Sequence, residues 1–503
     1  MAVNVLGSLA LAVVLSVGFR ELGLATIIYN IFFHPLRKFP GPLLQGASTL
    51  PWAIQHTAGL QAFNTQKLHD KYGPVVRIGP NHLSFTDVKA WKDIYGHRIG
   101  TGANAGELTK SDLFVNSIPG LPTNIITADR EEHSRFRRAL SNGFSDASMR
   151  EQEPEIIKYV DILIKRLHEV CDQGNKKLNL EAWFNWTTFD VVGSLVFGQS
   201  FQCLENSDYH PWIDFILKSV PSGGMITALS YVGLMEVVRI MFMFGGIAFS
   251  HVQKHTDAMV KLRLAIEKPR VDLFEGLVKR REAWNLSFGK LSSNALILVL
   301  AGSETTATTL SGATYLLLRH PEVMEKVKEE VRSSFKDASE ININTVGNLK
   351  YMLAVLNEAL RTYPPVTSGL VRTTPKGGAQ IADYFVPEGA LVEVQHWAMN
   401  HSKDNWANPW EFNPERFLVG NEEALNAGNN LEALQAFNVG PRNCIGRNLA
   451  YAEMRIILAR LVYDFDIKID DGTGDWIERQ RTYTLWERVP LGVYLTPVRA
   501  NKA

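Results

Sequence analysis

Cys444 sits in the stretch Phe437-Asn438-Val439-Gly440-Pro441-Arg442-Asn443-Cys444-Ile445-Gly446, between two glycines and just ahead of a helical segment, Leu449 to Phe465. Gly440 and Gly446 permit a tight loop in which backbone N–H groups approach the sulfur. A helix N-terminus carries roughly half a positive charge, which favours thiolate over thiol, and Arg442 adds a cation nearby. A cysteine taken alone is usually a small buried hydrophobe. The F-x-x-G-x-R-x-C-x-G pattern gives this one a chemical task. The other cysteines, Cys171 and Cys203, are far from it and from each other in sequence, which excludes a disulfide scaffold and a four-thiolate zinc site.

The 52 basic and 52 acidic residues cancel, so the chain does not seek polyanions, and nucleic acid is excluded as a partner. With 46% hydrophobic and 21% charged residues there is ample material for a core. Ala2 to Phe19 carries no charge and is interrupted only by Asn4, Ser8 and Ser16. As a helix that run rises about 27 Å, close to the ~30 Å hydrocarbon thickness of a bilayer. A cleaved signal peptide would need a basic region ahead of it, and the nearest cations, Arg20, Arg37 and Lys38, all follow. The run is therefore expected to be a membrane anchor, with the rest of the chain on the cytosolic side. A second apolar stretch, Leu22 to Phe33, either spans or lies in the interface. Pro35 and Pro40-Gly41-Pro42 end it and form a stiff link. The expected division is an anchor over 1–33, a proline-rich hinge over 34–42 and one large domain over 43–503.

That domain shows no repeats and no long linker, and reads as mainly α with a smaller β region. Helices are expected at Glu153–Val170, at Ser293–His320 with Ser292 or Ser293 as its cap, at Glu322–Phe335, and at Tyr351–Tyr363 before Pro364-Pro365. Strands are expected near Val75–Ile78, His82–Phe85, Leu391–Val394 and Leu491–Leu495. Gly223 to Phe249, apolar and glycine-rich, suits either core or a second membrane-contacting surface.

Three further motifs carry chemistry. In Ala301-Gly302-Ser303-Glu304-Thr305-Thr306, inside the long helix, Ile297, Ala301 and Thr305 share one face. The small Ala301-Gly302 pair lets something bulky lie against that face, and Glu304 and Thr305 place an acid beside a hydroxyl. Alone, these would be an exposed carboxylate and a back-bonded hydroxyl. Glu358 and Arg361 are spaced to pair on one helix, usually a weak surface salt bridge, and Pro414-Glu415-Arg416-Phe417 supplies another arginine. In Asp129 to Leu140, His133 and Arg137 lie one helical turn apart.

The cysteine loop and these motifs, in their order along the chain, resemble the cytochrome P-450 family over essentially the whole chain. The Tyr29-to-Leu36 entry is similar to filamentous-fungal members that decorate secondary metabolites. The resemblance implies the cytochrome P-450 fold behind an N-terminal transmembrane helix in the endoplasmic reticulum membrane. The cofactor would be haem b (iron protoporphyrin IX), with Cys444 as axial ligand to the iron. Phe437, Gly440, Gly446 and Ala301 would frame the haem, and His133, Arg137, Arg372 and Arg442 would meet its propionates, although many relatives carry tryptophan where this chain has His133. Glu304 and Thr305 would be catalytic, relaying protons to bound dioxygen. Glu358, Arg361 and Arg416 would form a buried structural cluster under the cysteine loop. Electrons would come from NADPH through cytochrome P-450 reductase, with cytochrome b5 as a further partner, and Arg130, Arg135 and Arg138 would form the docking patch.

The expected activity is hydroxylation, epoxidation or desaturation of a lipophilic molecule such as a terpenoid, polyketide or prenylated alkaloid. Its walls would come from the loop Gly102 to Ile126, the face at Ile297, the turn Val366 to Leu370 and the turn Tyr483 to Trp486. Alternatives are a haem-thiolate isomerase or dehydratase acting without dioxygen, for which the intact Glu304-Thr305 pair argues poorly, and a non-catalytic membrane haem protein. Three glycosylation triplets, at Asn185, Asn285 and Asn400, would stay bare on the cytosolic side.

Overall fold

The computed structural model describes residues 23–98, 107–112, 122–245 and 247–499. The longer helices are α1 (Gln61–Tyr72), α2 (Arg130–Leu140), α3 (Asp146–Val170), α4 (Leu180–Phe197), α5 (Val220–Tyr231), α6 (Met235–Gly245), α7 (Ile247–Leu264), α8 (Phe288–Arg319), α9 (Pro321–Ser334), α10 (Lys350–Thr362) and α11 (Arg447–Asp464). The strands are β1 (Val75–Gly79), β2 (His82–Phe85), β3 (Thr109–Lys110), β4 (Leu178–Asn179), β5 (Arg372–Thr373), β6 (Ala379–Ile381), β7 (Tyr384–Val386), β8 (Leu391–Val394), β9 (Phe465–Ile469), β10 (Arg481–Tyr483), β11 (Leu485–Glu487) and β12 (Gly492–Pro497). The expected mainly α fold with a smaller β region is what forms.

One sheet runs β1-β2-β8-β5-β3, with β2 and β8 parallel and the other neighbours antiparallel. Both faces of β1 and β2 are buried, so Arg77 of β1 and His82 and Ser84 of β2 lie in the interior beside Val75, Val76, Ile78, Leu83 and Phe85. The main core lies among α3, α4, α8, α10 and α11, and a second cluster lies against the sheet. Helix α4 packs along α8. Gly302 permits that approach, because a Cβ there would lie 3.2 Å from Val192. The small residue at 302 thus serves helix packing, and Ala301 is the residue that leaves room on the other face.

Helix α8 starts five residues before the expected position. Ser287, accepting from the N–H of Lys290, caps it. Ser292 and Ser293 are buried instead, bonded to Asp257 and to the carbonyl of Pro122. Apolar spacing marks where a helix is buried, and the first exposed turn carries no such mark.

The expected anchor, Ala2 to Phe19, lies outside the described residues. Among the described residues no helix is long and apolar enough to cross a membrane. The second apolar stretch forms a five-residue α-helix, Leu24–Ile28, continued by a π-turn, Tyr29–Phe33. The hinge is packed onto the body. Leu36 and Phe39 are buried with the sheet-side core, and the carbonyl of Pro40 accepts from Arg77 N at 2.7 Å. Within 223–249, Ala228 and Tyr231 of α5 join a cluster with Trp52, Val76 and Ile78. Asn185 and Asn400 are buried, so of the three triplets only Asn285 is open to a glycan on either side of a membrane.

Candidate active site

The loop before α11 turns because Gly440 adopts φ +77°, and a Cβ there would lie 2.0 Å from the carbonyl oxygen of Tyr95. No other residue fits. The turn is closed by Cys444 N donating to Phe437 O at 2.8 Å and Asn443 N donating to Gly440 O at 3.1 Å. Gly446 differs from Gly440. Its φ of −84° suits any residue, and a Cβ would sit 3.8 Å from the Cys444 sulfur, so its smallness keeps the space beside the sulfur open.

Cys444 is exposed only to the cavity it lines, deep in the protein. Without a metal, burial pushes its thiol up, against the opposing pull of the Gly446 N–H, Arg137 and Arg447. The amide at the start of α11 and the two arginines favour thiolate, and desolvation outweighs them. Iron coordination is what would overcome that cost.

The cavity measures about 390 Å³. Cys444, Phe437 and Leu449 lie on one side, with Ile297, Ala301 and Thr305 of α8 also on its wall. Phe437 is held by Tyr451, ring centroids 5.2 Å apart. Thr305 Oγ1 donates to Ala301 O at 2.8 Å, so its hydroxyl is back-bonded and faces the cavity at once. Val366, Leu370, Thr484 and Leu485 complete the apolar wall, as do Ile125 and Ile126 at the end of the expected loop. Residues 102–106 and 113–121 of that loop are outside the described residues. Tyr483 and Trp486 do not reach the cavity. Trp486 is buried against Tyr363, centroids 4.3 Å apart, and Tyr483 packs over Gly224.

Thr484, at the tip between β10 and β11, has φ +83°, a strained conformation for a β-branched residue. Two hydrogen bonds from Thr367 to its carbonyl, at 3.0 and 3.3 Å, hold it there. No sequence signal marks that strain.

Cations gather at one edge of the cavity. Arg137, Arg372 and Arg442 line it, and so does His133. Arg442 pairs with Glu107 at 2.7 Å and donates to Ala128 O. Arg137 braces the cysteine loop, donating to Asn443 Oδ1 at 2.6 Å and to Asn443 O. Arg372 is buried, lies over Tyr95, and its Nε has no partner among the described residues. Burial and the surrounding cations push His133 down to about 3, so it is neutral.

Lys110 was not expected there. It stands directly opposite Arg372 in the β3–β5 ladder and lines the cavity. Burial, then Arg372 and Arg442, push its pKa down to about 6. Like charges held this close ask for an anion. A flat apolar group with two carboxylates fits this cavity: hydrocarbon walls, a thiol beside them, and a cationic edge whose repulsion the carboxylates relieve.

Glu304 is elsewhere. It is 2% exposed, off the cavity wall, and Arg488 Nη2 lies 2.9 and 3.0 Å from its two carboxylate oxygens. The structure brings Thr305 to the cavity and leaves Glu304 on the α4 side of α8.

Glu358, Arg361 and Arg416 form the expected cluster. Arg361 Nη2 and Nε lie 2.7 and 2.8 Å from the Glu358 carboxylate, Arg416 Nε lies 3.3 Å from it, and all three are buried.

The cysteine loop and residues Ala301 and Thr305 of the continuous helix α8 line one cavity together with three arginines, an arrangement that fits a thiolate-ligated haem. The family profile of cytochrome P450 matches residues 45–492. The chain is similar to cytochrome P450 monooxygenase tpeC of Talaromyces stipitatus, 45% identical over 100% of this chain and 97% of that protein. It is also similar to trichothecene C-15 hydroxylase of Fusarium sporotrichioides, 42% identical over 94% and 95%. Averantin hydroxylase of Dothistroma septosporum is 41% identical over 95% and 90%. The chain belongs to the cytochrome P450 family and is a monooxygenase that oxidises a small molecule.

Proposed function

We propose that the protein hydroxylates, epoxidises or desaturates a lipophilic fungal secondary metabolite, a terpenoid, polyketide or prenylated alkaloid, at an unactivated carbon. The observation that carries this is the apolar cavity that joins Cys444 to Thr305. The names of two relatives, hydroxylases of a trichothecene and of averantin, support hydroxylation as the first outcome to look for.

Haem, when bound, supplies the activation of dioxygen. Cys444 Sγ would ligate its iron, and His133, Arg137, Arg372, Arg442 and Lys110 would meet its carboxylates. The hydrocarbon wall orients the substrate and excludes water. Thr305 Oγ1 holds a proton at the cavity surface, and Glu304, one residue earlier, restores it from the protein side. Delivery from Glu304 requires its carboxylate to exchange Arg488 for the Thr305 side of the helix.

Electrons come from NADPH through a membrane-bound reductase, with cytochrome b5 as a second donor. Arg130, Arg135 and Arg138 are exposed on α2, on the same helix as Arg137, which supports a docking patch for an acidic partner. Reduction should slow as ionic strength rises; a rate indifferent to salt removes this patch from the reading. The exposed apolar side chains Leu24, Ile28, Phe32, Phe33, Leu43, Leu44 and Ile54 support contact with the endoplasmic reticulum membrane, the body facing the cytosol.

The deciding experiment is expression with a matched reductase and a panel of candidate precursors, products read by mass. Gain of one oxygen atom supports insertion, and loss of two hydrogens supports desaturation. Product made without NADPH would overturn the monooxygenase chemistry.

A further inference from the structure

Arg488 follows β11, and its side chain reaches α8 and α4 together. Nε donates to Glu181 Oε1 at 3.1 Å, Nη2 to Asn185 Oδ1 at 3.0 Å, and Nη1 to the Glu304 carbonyl at 3.1 Å and to Thr308 Oγ1. With Nη2 also on the Glu304 carboxylate, every nitrogen of the guanidinium is engaged. Asn185 Nδ2 ties Glu181 Oε1 in at 2.6 Å and Tyr209 at 3.2 Å. Thr308 Oγ1 donates to the Glu304 carbonyl at 2.7 Å, so the guanidinium grips both the acid and the backbone turn that carries it.

Charge is unbalanced here. Two carboxylates, Glu304 and Glu181, share one arginine in a buried setting, and the hydroxyls of Tyr363 and Tyr209 also face it among the described residues. A buried excess of one negative charge is costly, and the least costly relief is a proton on one acid. We infer that Arg488 is the positioning residue for Glu304, setting where its carboxyl lies and how readily it holds a proton, and that Glu181 is the competing carboxylate that weakens this grip. The consequence for turnover rests on the proton-supplying role proposed above for Glu304; the cluster's effect on the acid does not.

Burial raises Glu304 above the ordinary carboxylate range, with Arg488 pulling it down and Glu181 pushing it up. The two neighbours therefore act with opposite sign, which a merely structural role would not do. Glu304 can be followed without any substrate, by infrared titration of the ferric, haem-loaded full chain, as the carboxylic-acid band that disappears in Glu304→Gln. Arg488→Gln should move the midpoint of that band up, and Glu181→Gln should move it down, each by about one pH unit or more, the scale set by a charge within ~4–6 Å. Arg488→Lys should stay close to wild type.

Midpoints that stay put, or move the same way in both variants, overturn the inference. So does a Glu304 band absent from wild type and still absent from Arg488→Gln. Should Arg488→Gln fail to hold haem, Glu181→Gln decides alone: a downward shift supports the inference and an unmoved band overturns it. The reduced, carbon-monoxide-bound spectrum of the same samples reports the haem-thiolate site separately. Loss of that signature in wild type would instead sink the monooxygenase reading.

Discussion

Glu358→Gln isolates a buried charge from its surroundings. The carboxylate accepts from Arg361 Nε and Nη2 at 2.8 and 2.7 Å, from Arg416 Nε at 3.3 Å and from Asn413 N at 2.9 Å. Glu358 and Arg361 are fully buried and Arg416 nearly so. The variant keeps one acceptor oxygen, points an NH₂ donor at a guanidinium, and leaves two arginines without their anion. Removing one partner of a buried pair costs about 3–5 kcal/mol. Lys89 and Asp383 provide the control, because they meet at 3.1 Å while their side chains are 64% and 74% exposed. Asp383→Asn should cost roughly 0–1 kcal/mol. The assay is denaturant unfolding followed by the carbon-monoxide-bound thiolate band and tryptophan fluorescence. Glu358→Gln should shift the midpoint far below wild type or prevent haem retention, and Asp383→Asn should barely move it. Equal, small displacements would refute the claim that burial sets the worth of this cluster.

Gly440→Ala forces a Cβ into the Tyr95 carbonyl at a positive φ, so it should lose more than the ~1–2 kcal/mol of the backbone conformation alone. Purified protein should then show little of the thiolate band. Lys110 titrates near 6 when folded against an ordinary 10.5, so the unfolded chain binds the extra proton between those values. Stability of the haem-free protein should thus rise with pH from about 6 towards 10, with the full penalty present below about 6. In Lys110→Met, thermal unfolding of the haem-free form should lose that rise. Thr305→Ala should keep haem, because the side chain packs no loop, and should yield more hydrogen peroxide per NADPH consumed; leakage at the wild-type level would remove Thr305 from proton handling.

Much of the site was legible because its constraints are local. Gly440 and Cys444 lie four residues apart, and the turn that joins them needs only that stretch and the helix behind it. Pro321 and Pro364 stop α8 and α10 near where they were expected to end, since proline cannot donate to the preceding turn. His133, Arg137, Arg372 and Arg442 reached the cavity by family resemblance; composition and spacing alone would have left them as a basic surface. Lys110 escaped notice because its position depends on pairing with Arg372, more than 260 residues away, through a strand of two residues.

Glu304 shows where local reasoning stops. Consecutive helix residues point about 100° apart, so the face arithmetic that joins Ile297, Ala301 and Thr305 turns Glu304 away from them. What waits on that other side, Arg488 and Glu181, comes from the chain terminus and from α4. The amino-acid order alone determined the family, the thiol and the hydroxyl, because each is written in a short motif whose geometry is set by neighbouring dihedrals. Only the tertiary structure decided the partner of the acid, the cationic edge and the strained tip at Thr484, because burial and charge are set by segments that meet through folding.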